Sequence, residues 1–176
     1  MDYILRMLSK GDLRTTGASE EVINMALRNN SVVRLVVQGL KDDDPGIKMR
    51  SADVLEKIGS IEPRLLQPHK KTFLSVASKS EQQEVQWHMA QIISYLNLTP
   101  KELEFAKDTL LRYYNDSISN IVKAFSLTAL AQLSSKNEGL KPVVKILLDK
   151  AVKSGTPSIK TRAKKILSLQ KKQDRI

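Results

Sequence analysis

Residues 43–55 read DDPGIKMRSADVL, and the part that begins at Ile47 recurs three times later in the chain. The related segments are residues 85–93 (VQWHMAQII), 122–130 (VKAFSLTAL) and 159–167 (IKTRAKKIL). When the first residue of each segment is counted as position 0, an aliphatic residue stands at positions 0 and 8 in all four. Positions 0, 4, 8 and 11 share one face of an α-helix, so each segment predicts an amphipathic helix.

A second helix is predicted before each of these segments. An apolar pair stands twelve and eleven residues before each start, as Leu35-Val36, Phe73-Leu74, Leu110-Leu111 and Leu147-Leu148. Turn-forming residues follow each apolar pair, at 42–46, 78–80, 115–117 and 154–157. Pro45 and Pro157 suit a first helical turn with Asp44 and Thr156 as N-caps, and Gly155 is predicted to adopt the left-handed conformation. The repeating unit is therefore a helix pair.

The predicted helices cover residues 19–29, 31–41, 45–59, 64–78, 81–96, 100–114, 118–135, 139–154 and 157–172. We expect a loop at 10–18 and a short extra helix before it. Four helix pairs, at about 31–60, 64–97, 100–135 and 139–172, are expected to form a single domain of residues 1–176. The helix at 19–29, with Ser19 as its N-cap, is expected to cover the N-terminal end of the stack. Lys164 and Gln170 replace apolar or small residues of the other units and are expected to end it.

The motif of the first unit resembles a known family. Residues 43–48, followed by Ala52 and Leu55, are similar to the HEAT repeat signature, in which an Asp-Pro turn precedes a buried aliphatic residue and a basic one. The basic residue recurs as Lys123 and Lys160, whereas the second unit has glutamine. The resemblance covers residues 31–172. It implies an all-α fold, a short right-handed α-α superhelix (a HEAT-like or armadillo-like solenoid) whose second helices line the concave side.

Composition excludes several classes of protein. Hydrophobic residues make up 41% of the chain, which is enough to bury a core, and the absence of cysteine excludes disulfides and thiolate metal sites. Charged residues interrupt the N-terminal stretch, and nowhere do about 18 apolar residues run together. We therefore predict no signal peptide and no membrane insertion, and we expect a cytoplasmic protein.

The search for catalytic chemistry gives little. His69 and His88 have no partner at metal-ligand spacing, and residues 42–44 lack the oxygen ligands that a calcium loop requires after them. No phosphate-binding glycine loop occurs. We predict no enzyme, no metal and no cofactor. A DNA-repair enzyme similar to the α-solenoid alkylpurine glycosylases, which grip DNA with aromatic residues, is the weaker alternative, although Trp87 is the only tryptophan.

The first functional hypothesis is a protein-interaction scaffold that binds its partner on the concave second-helix face. Positions 1, 2, 6, 9 and 10 are predicted to point outward. The predicted partner-binding residues are Trp87, Tyr95, Met49, Lys48 and Lys123, because aromatic and apolar anchors are enriched at binding hot spots. The alternative that Trp87 fills space between adjacent second helices stays open, and His88, aligned with Phe125, is predicted to be structural.

The second hypothesis concerns the basic C-terminal end. Residues 141–176 hold 11 Lys and Arg against Asp149 and Asp174, whereas residues 1–140 are nearly neutral. Nucleic acid or another anionic surface could bind there, and Arg175 belongs to the same basic run. The predicted contacts are Lys160, Arg162, Lys164, Lys165, Lys171 and Lys172. The alternative is a solvated capping helix. The expected partner is a protein of unknown identity, and the chain is expected to be a monomer or a weak dimer.

Overall fold

The computed structural model describes residues 2–10 and 18–173, and within these ranges the chain is all-helical and has no strand. The part of the predicted loop at 11–17 lies outside the described residues. Ten α-helices are present in the described part: α1 (Tyr3–Leu8), α2 (Ser19–Arg28), α3 (Asn30–Gly39), α4 (Pro45–Ile61), α5 (Lys70–Lys79), α6 (Gln83–Tyr95), α7 (Pro100–Asp116), α8 (Asn120–Lys136), α9 (Lys141–Ser154) and α10 (Pro157–Gln173).

The helix boundaries follow local chemistry. Asp44 caps α4, since its carboxylate accepts hydrogen bonds from the amides of Gly46 (2.7 Å) and Ile47 (3.2 Å), as predicted. Helix α5 begins at Lys70 and not at residue 64. The intervening chain forms 3-10 turns at Pro63–Leu65 and Gln67–His69. Pro68 has no amide hydrogen to donate, so the α-helix starts only after it.

Two predicted end residues behave differently in the structure. Helix α2 has Ala18 at its N-cap, and Ser19 is instead the first helical residue and is buried. Gly155 has φ −70°, so the predicted left-handed conformation is wrong. Its amide still donates to the carbonyl of Ala151 (3.0 Å), and the chain then leaves α9 in an extended conformation. The turn needs no residue with a positive φ, because Gly155 in its extended conformation already directs the chain toward Pro157.

The helices pack in sequence order. Each second helix contacts the next one, so α4, α6, α8 and α10 form a row, and α2 extends this row at its N-terminal end by packing on α4. Each first helix, α3, α5, α7 or α9, packs against the second helix of its own pair. Helix α1 contacts α3 and α4, and the buried Arg50 guanidinium donates a hydrogen bond to the carbonyl of Leu8.

The predicted core is confirmed at positions 0 and 4, whereas position 8 is buried in α4, α6 and α8 but only half-buried in α10, at Leu167. In the predicted buried pairs of the first helices, Leu35, Leu111 and Leu147 are half-buried. Every residue at positions 0 and 4 is buried, namely Ile47, Val85, Val122 and Ile159, and Ser51, Met89, Ser126 and Ala163. The buried residues form one continuous hydrophobic cluster that runs from Ile4 to Ile166. No helix in the described part of the chain is both long and apolar enough to cross a membrane.

Candidate functional site

One stripe of each second helix faces the pair that follows it. This forward stripe consists of positions 2, 5, 9 and 12, and in α8 all of it is buried, as Ala124, Leu127, Ala131 and Ser134. In α10, which no later pair covers within the described residues, the same positions are exposed, as Thr161, Lys164, Ser168 and Lys171. The following pair therefore covers the whole stripe in α8 and most of it in the two preceding second helices, where Glu56 and Trp87 are half-buried and Asn97 is exposed. Positions 2 and 9 thus do not point fully outward as the sequence predicted.

Met49 is the clearest correction. It stands at position 2 of α4 and is only 9% exposed, so it belongs to the buried forward stripe and cannot act as an exposed anchor. Trp87 stands at the same position of α6, and its side chain is partly buried against the core. Its ring lies 5.5 Å from the His88 ring, centroid to centroid. The Trp87 ring is therefore half-buried, whereas Met49 at the same position is covered.

Tyr95 is held by the preceding second helix. Its hydroxyl donates a 2.8 Å hydrogen bond to the Glu56 carboxylate of α4. Burial, together with this carboxylate, raises the pKa of Tyr95 above its usual range. A Cβ atom on Gly59 would lie 2.8 Å from the Tyr95 ring and closer still to the Leu66 side chain, so glycine leaves the space that these two side chains occupy. Tyr95 thus faces α4 whereas Trp87 lies in the forward stripe, and the structure does not bring the predicted anchor together.

His88 lies in a polar seam between α4 and α6. Its Nε2 atom is 3.9 Å from the Asp53 carboxylate, and the other oxygen of Asp53 binds Lys57 at 2.8 Å. The Nδ1 atom is buried without a hydrogen-bond partner. Burial lowers the pKa of His88 to about 4, and the attraction of Asp53 only partly opposes this effect. His88 is therefore neutral at physiological pH.

Lys48 and Lys123 occupy position 1 near the starts of α4 and α8, and both are half-buried. Each lines a groove between its own helix pair and the next. The Nζ atom of Lys123 lies 3.4 Å from the carbonyl oxygen of Asn115. Both lysines were predicted to point outward, and the grooves were not predicted, although the alignment of the lysines at position 1 was the available signal.

The predicted basic site divides into two parts. Lys164, Lys165, Lys171 and Lys172 are exposed on α10, whereas Lys160 and Arg162 are half-buried. The Arg162 guanidinium lies 5.1 Å from the centre of the Phe125 ring, so a cation–π contact holds it against α8. None of the six forms an ion pair with another described residue. Arg175 lies outside the described residues.

Within residues 2–10 and 18–173, no three His, Asp or Glu side chains gather where they could hold a metal ion. His88 and Asp53 approach each other at 3.9 Å, and the other oxygen of Asp53 binds Lys57. No protein-family model matches the chain, and a search of curated proteins finds no significantly similar sequence.

Proposed function

We propose that this chain is a non-enzymatic interaction scaffold, a short right-handed α-α superhelix of the HEAT type that presents its second helices to a protein or peptide partner. The observation that carries the proposal is the uninterrupted row α2, α4, α6, α8 and α10, in which each helix contacts the next. Because all five helices share one layer, their free sides form one extended surface. Extended surfaces of this kind are what stacked helix pairs use for binding.

The binding surface on this row is narrower than the sequence suggested. With positions 2 and 9 turned toward the next pair, the surface is formed by the accessible parts of the residues at positions 1, 6 and 10, apart from Tyr95, which faces α4. These are Lys48, Asp53 and Lys57 on α4, Gln86 and Gln91 on α6, and Lys123, Thr128 and Gln132 on α8; Gln132 is exposed and the others are half-buried. The surface mixes neutral, acidic and basic side chains. This mixture suits a polar protein partner better than a continuous phosphate backbone, which a basic strip would match.

Affinity purification of the tagged chain from its native host, with mass spectrometry of the bound proteins, supplies the candidate partner for the test. Binding is then measured with the purified partner. The double variant Thr128→Glu, Gln132→Glu places two charges on the row, at the exposed Gln132 and at the half-buried Thr128, whose hydroxyl donates to the Ala124 carbonyl of the same helix (2.8 Å). We expect it to weaken binding at least about tenfold, as loss of one to two kcal/mol implies.

A matched control comes from the first helices. Ser75 on α5 and Ile146 on α9 are both exposed, so Ser75→Glu, Ile146→Glu adds the same charge on the opposite side of the molecule. The control is expected to leave the affinity unchanged. Equal weakening by both variants, or binding that neither variant affects, contradicts the proposed surface.

A second candidate function is binding of nucleic acid or another anionic surface through α10. The exposed and unpaired Lys164, Lys165, Lys171 and Lys172 favour it, because unpaired lysines gain most from phosphate contact. The test is the salt dependence of binding to a double-stranded DNA probe. Substitution of all four by Gln is expected to flatten the dependence of log K on log salt. Binding that is weak at low salt, or equally strong in the variant, contradicts this function.

A further inference from the structure

A groove of about 220 Å³ separates the third helix pair from the fourth, at the end of the molecule where α8 and α10 begin. Its polar lining includes Asn120 and Lys123 from α8, Lys150 from α9 and Thr156 from the turn before α10. No acidic side chain lines it. Lys123 and Lys150 come from different helices, and both bring positive charge to the same small volume.

Several donors in this groove remain available. The Oδ1 atom of Asn120 accepts a hydrogen bond from the Thr156 hydroxyl at 3.2 Å, which leaves the Asn120 amide NH₂ as a donor. The ammonium group of Lys150 forms no hydrogen bond or ion pair with another described residue, and that of Lys123 has only its 3.4 Å contact with the Asn115 carbonyl. The groove therefore offers ammonium and amide donors to an acceptor that the described chain itself does not provide.

The equivalent groove between the first and second pairs differs at the decisive positions. Val76 occupies the repeat position of Lys150, and Glu81 occupies that of Gly155. The side-chain amide of Gln82, the counterpart of Thr156, is already donated to the Pro45 carbonyl at 3.0 Å. Lys48 is the counterpart of Lys123. This groove also holds two lysines, Lys48 and Lys79, but it combines them with the Glu81 carboxylate, an apolar residue and a satisfied amide.

Between the second and third pairs the same space is occupied by side chains. Tyr113, at the repeat position of Lys150, donates a hydrogen bond to the Ala77 carbonyl, and Arg112 donates one to the Ser78 carbonyl at 2.8 Å. Within the described residues, the last of the three grooves is therefore the one that is open, free of carboxylates and rich in unused donors.

We propose that the groove between the third and fourth pairs binds the phosphate group of a phosphorylated side chain on the protein partner. This inference rests on the proposed scaffold function. Phosphate offers three acceptor oxygens and about two negative charges, which the two lysines and the amide of Asn120 match. A nucleic acid presents a run of phosphates, and each neighbouring groove would have to accept one of them. The first groove carries Glu81, and the second is filled by Tyr113 and Arg112. A single phosphate fits this pattern better.

The probe is a short peptide of glycine and alanine with one phosphoserine, compared with the same peptide carrying serine. Amide chemical shifts are followed by NMR at constant ionic strength, and inorganic phosphate is titrated separately. We expect saturable shifts at residues 120, 123 and 156 with the phosphopeptide and with phosphate, and at least tenfold weaker binding of the serine peptide. Shifts confined to inorganic phosphate would locate a free-anion site and overturn the assignment to a peptide.

The variants are matched across grooves. Lys150→Val introduces the residue that the first groove already has, so the fold tolerates it, and Lys123→Gln removes the second charge. Each is expected to lower phosphopeptide affinity at least about fivefold, while the control Lys79→Gln, an exposed lysine of the first groove, leaves it unchanged. Equal affinity in Lys150→Val and the unaltered chain overturns the proposal, as does stronger competition by a single-stranded oligonucleotide. If the chain binds its protein partner but shows no shift with phosphate or phosphopeptide, the phosphate site is refuted and the scaffold function is not.

Discussion

The third and fourth helix pairs have the same repeat positions but bury different parts of their second helices. Positions 0 and 4 are buried in both α8 and α10. The forward stripe is covered in α8, where Leu127 has no exposed surface, and open in α10, where the equivalent residue is Lys164. The two buried faces of one helix are therefore buried for different reasons. The first is buried by the helix pair itself and its predecessor, and the forward stripe is buried only by a following pair.

This difference explains why amphipathic periodicity separates core from surface well in α10 and poorly in α4, α6 and α8. An interior second helix has neighbours on both sides of the row, so more than one stripe is buried. A helix at the end of the described stack has one neighbour in the row, and lysine is tolerated where interior helices need small or apolar residues. Giving α8 the lysine of α10 at position 5, and α10 the leucine of α8, tests this directly.

The largest effect is expected from Leu127→Lys. The substitution places a charge without a partner between the third and fourth pairs, and we expect a loss of about 4 kcal/mol in the free energy of unfolding. The reverse substitution at the equivalent position, Lys164→Leu, should change stability by less than about 0.5 kcal/mol. Urea denaturation of the two variants measures both values. Similar losses would show that the forward stripe is assigned to the wrong face.

The second effect comes from position 8. Leu130 is fully buried in α8, and Leu130→Ala is expected to cost about 3 kcal/mol through the cavity that it leaves. Leu167, the equivalent residue in α10, is half-buried, so Leu167→Ala should cost about half as much. Denaturant midpoints, followed by the fluorescence of the single tryptophan, give the comparison. A larger loss at Leu167 would contradict the view that a missing neighbour reduces burial.

The spacing of aliphatic residues was sufficient to predict the helices and the pairing of first with second helices. Every residue at positions 0 and 4 is buried because a single stripe faces the partner helix whatever lies beside the pair. The start of α5 was predicted at residue 64, where the apolar pattern begins. The helix starts only at Lys70, because Pro68 keeps the preceding chain out of the α-helix. Ser19 was mistaken for a cap because the helix begins one residue earlier than its side chain suggested.

The candidate site was harder to predict. Met49 and Trp87 occupy position 2, which a helical wheel places away from the core but which the following pair covers. Their burial depends on contacts between residues far apart in sequence, and no single helix carries that information. The groove at Lys150 was missed for the same reason, since its walls come from α8, α9 and the turn before α10.

The third effect is a pH dependence that arises from the seam between α4 and α6. The folded pKa of His88 is about 4, below the ordinary value of 6.5, because burial disfavours its charged form. Above pH 6.5 the imidazole is neutral in both states. As the pH falls, the unfolded chain gains a proton that the folded chain does not, so stability decreases. Between pH 7.5 and pH 5 we expect a loss of about 2 kcal/mol.

Two variants isolate this contribution from other groups. His88→Phe introduces the aromatic residue found as Phe125 at the same position of α8, and it should remove most of the slope in denaturant unfolding between pH 7.5 and pH 5. His69, whose pKa burial also lowers, provides the control His69→Gln, which should retain most of it. An unchanged slope in His88→Phe would show that the histidine is not the source. Carboxylates such as Glu102, whose pKa Lys70 lowers to about 2, act below this window.

The smallest effect concerns Trp87, where packing and partner contact make opposite predictions. Its ring is partly buried against the core in the forward stripe of α6, where other second helices carry smaller residues. A fully buried tryptophan costs about 3–5 kcal/mol when truncated, so Trp87→Ala, which removes a partly exposed ring, should cost about 1–2 kcal/mol. Thermal unfolding by circular dichroism measures this loss, and Trp87→Phe should restore about half of it. An unchanged melting temperature combined with lost partner binding would instead make Trp87 a contact residue. Because Met49 is covered at the same repeat position, we expect the melting temperature to fall and partner affinity to follow stability alone.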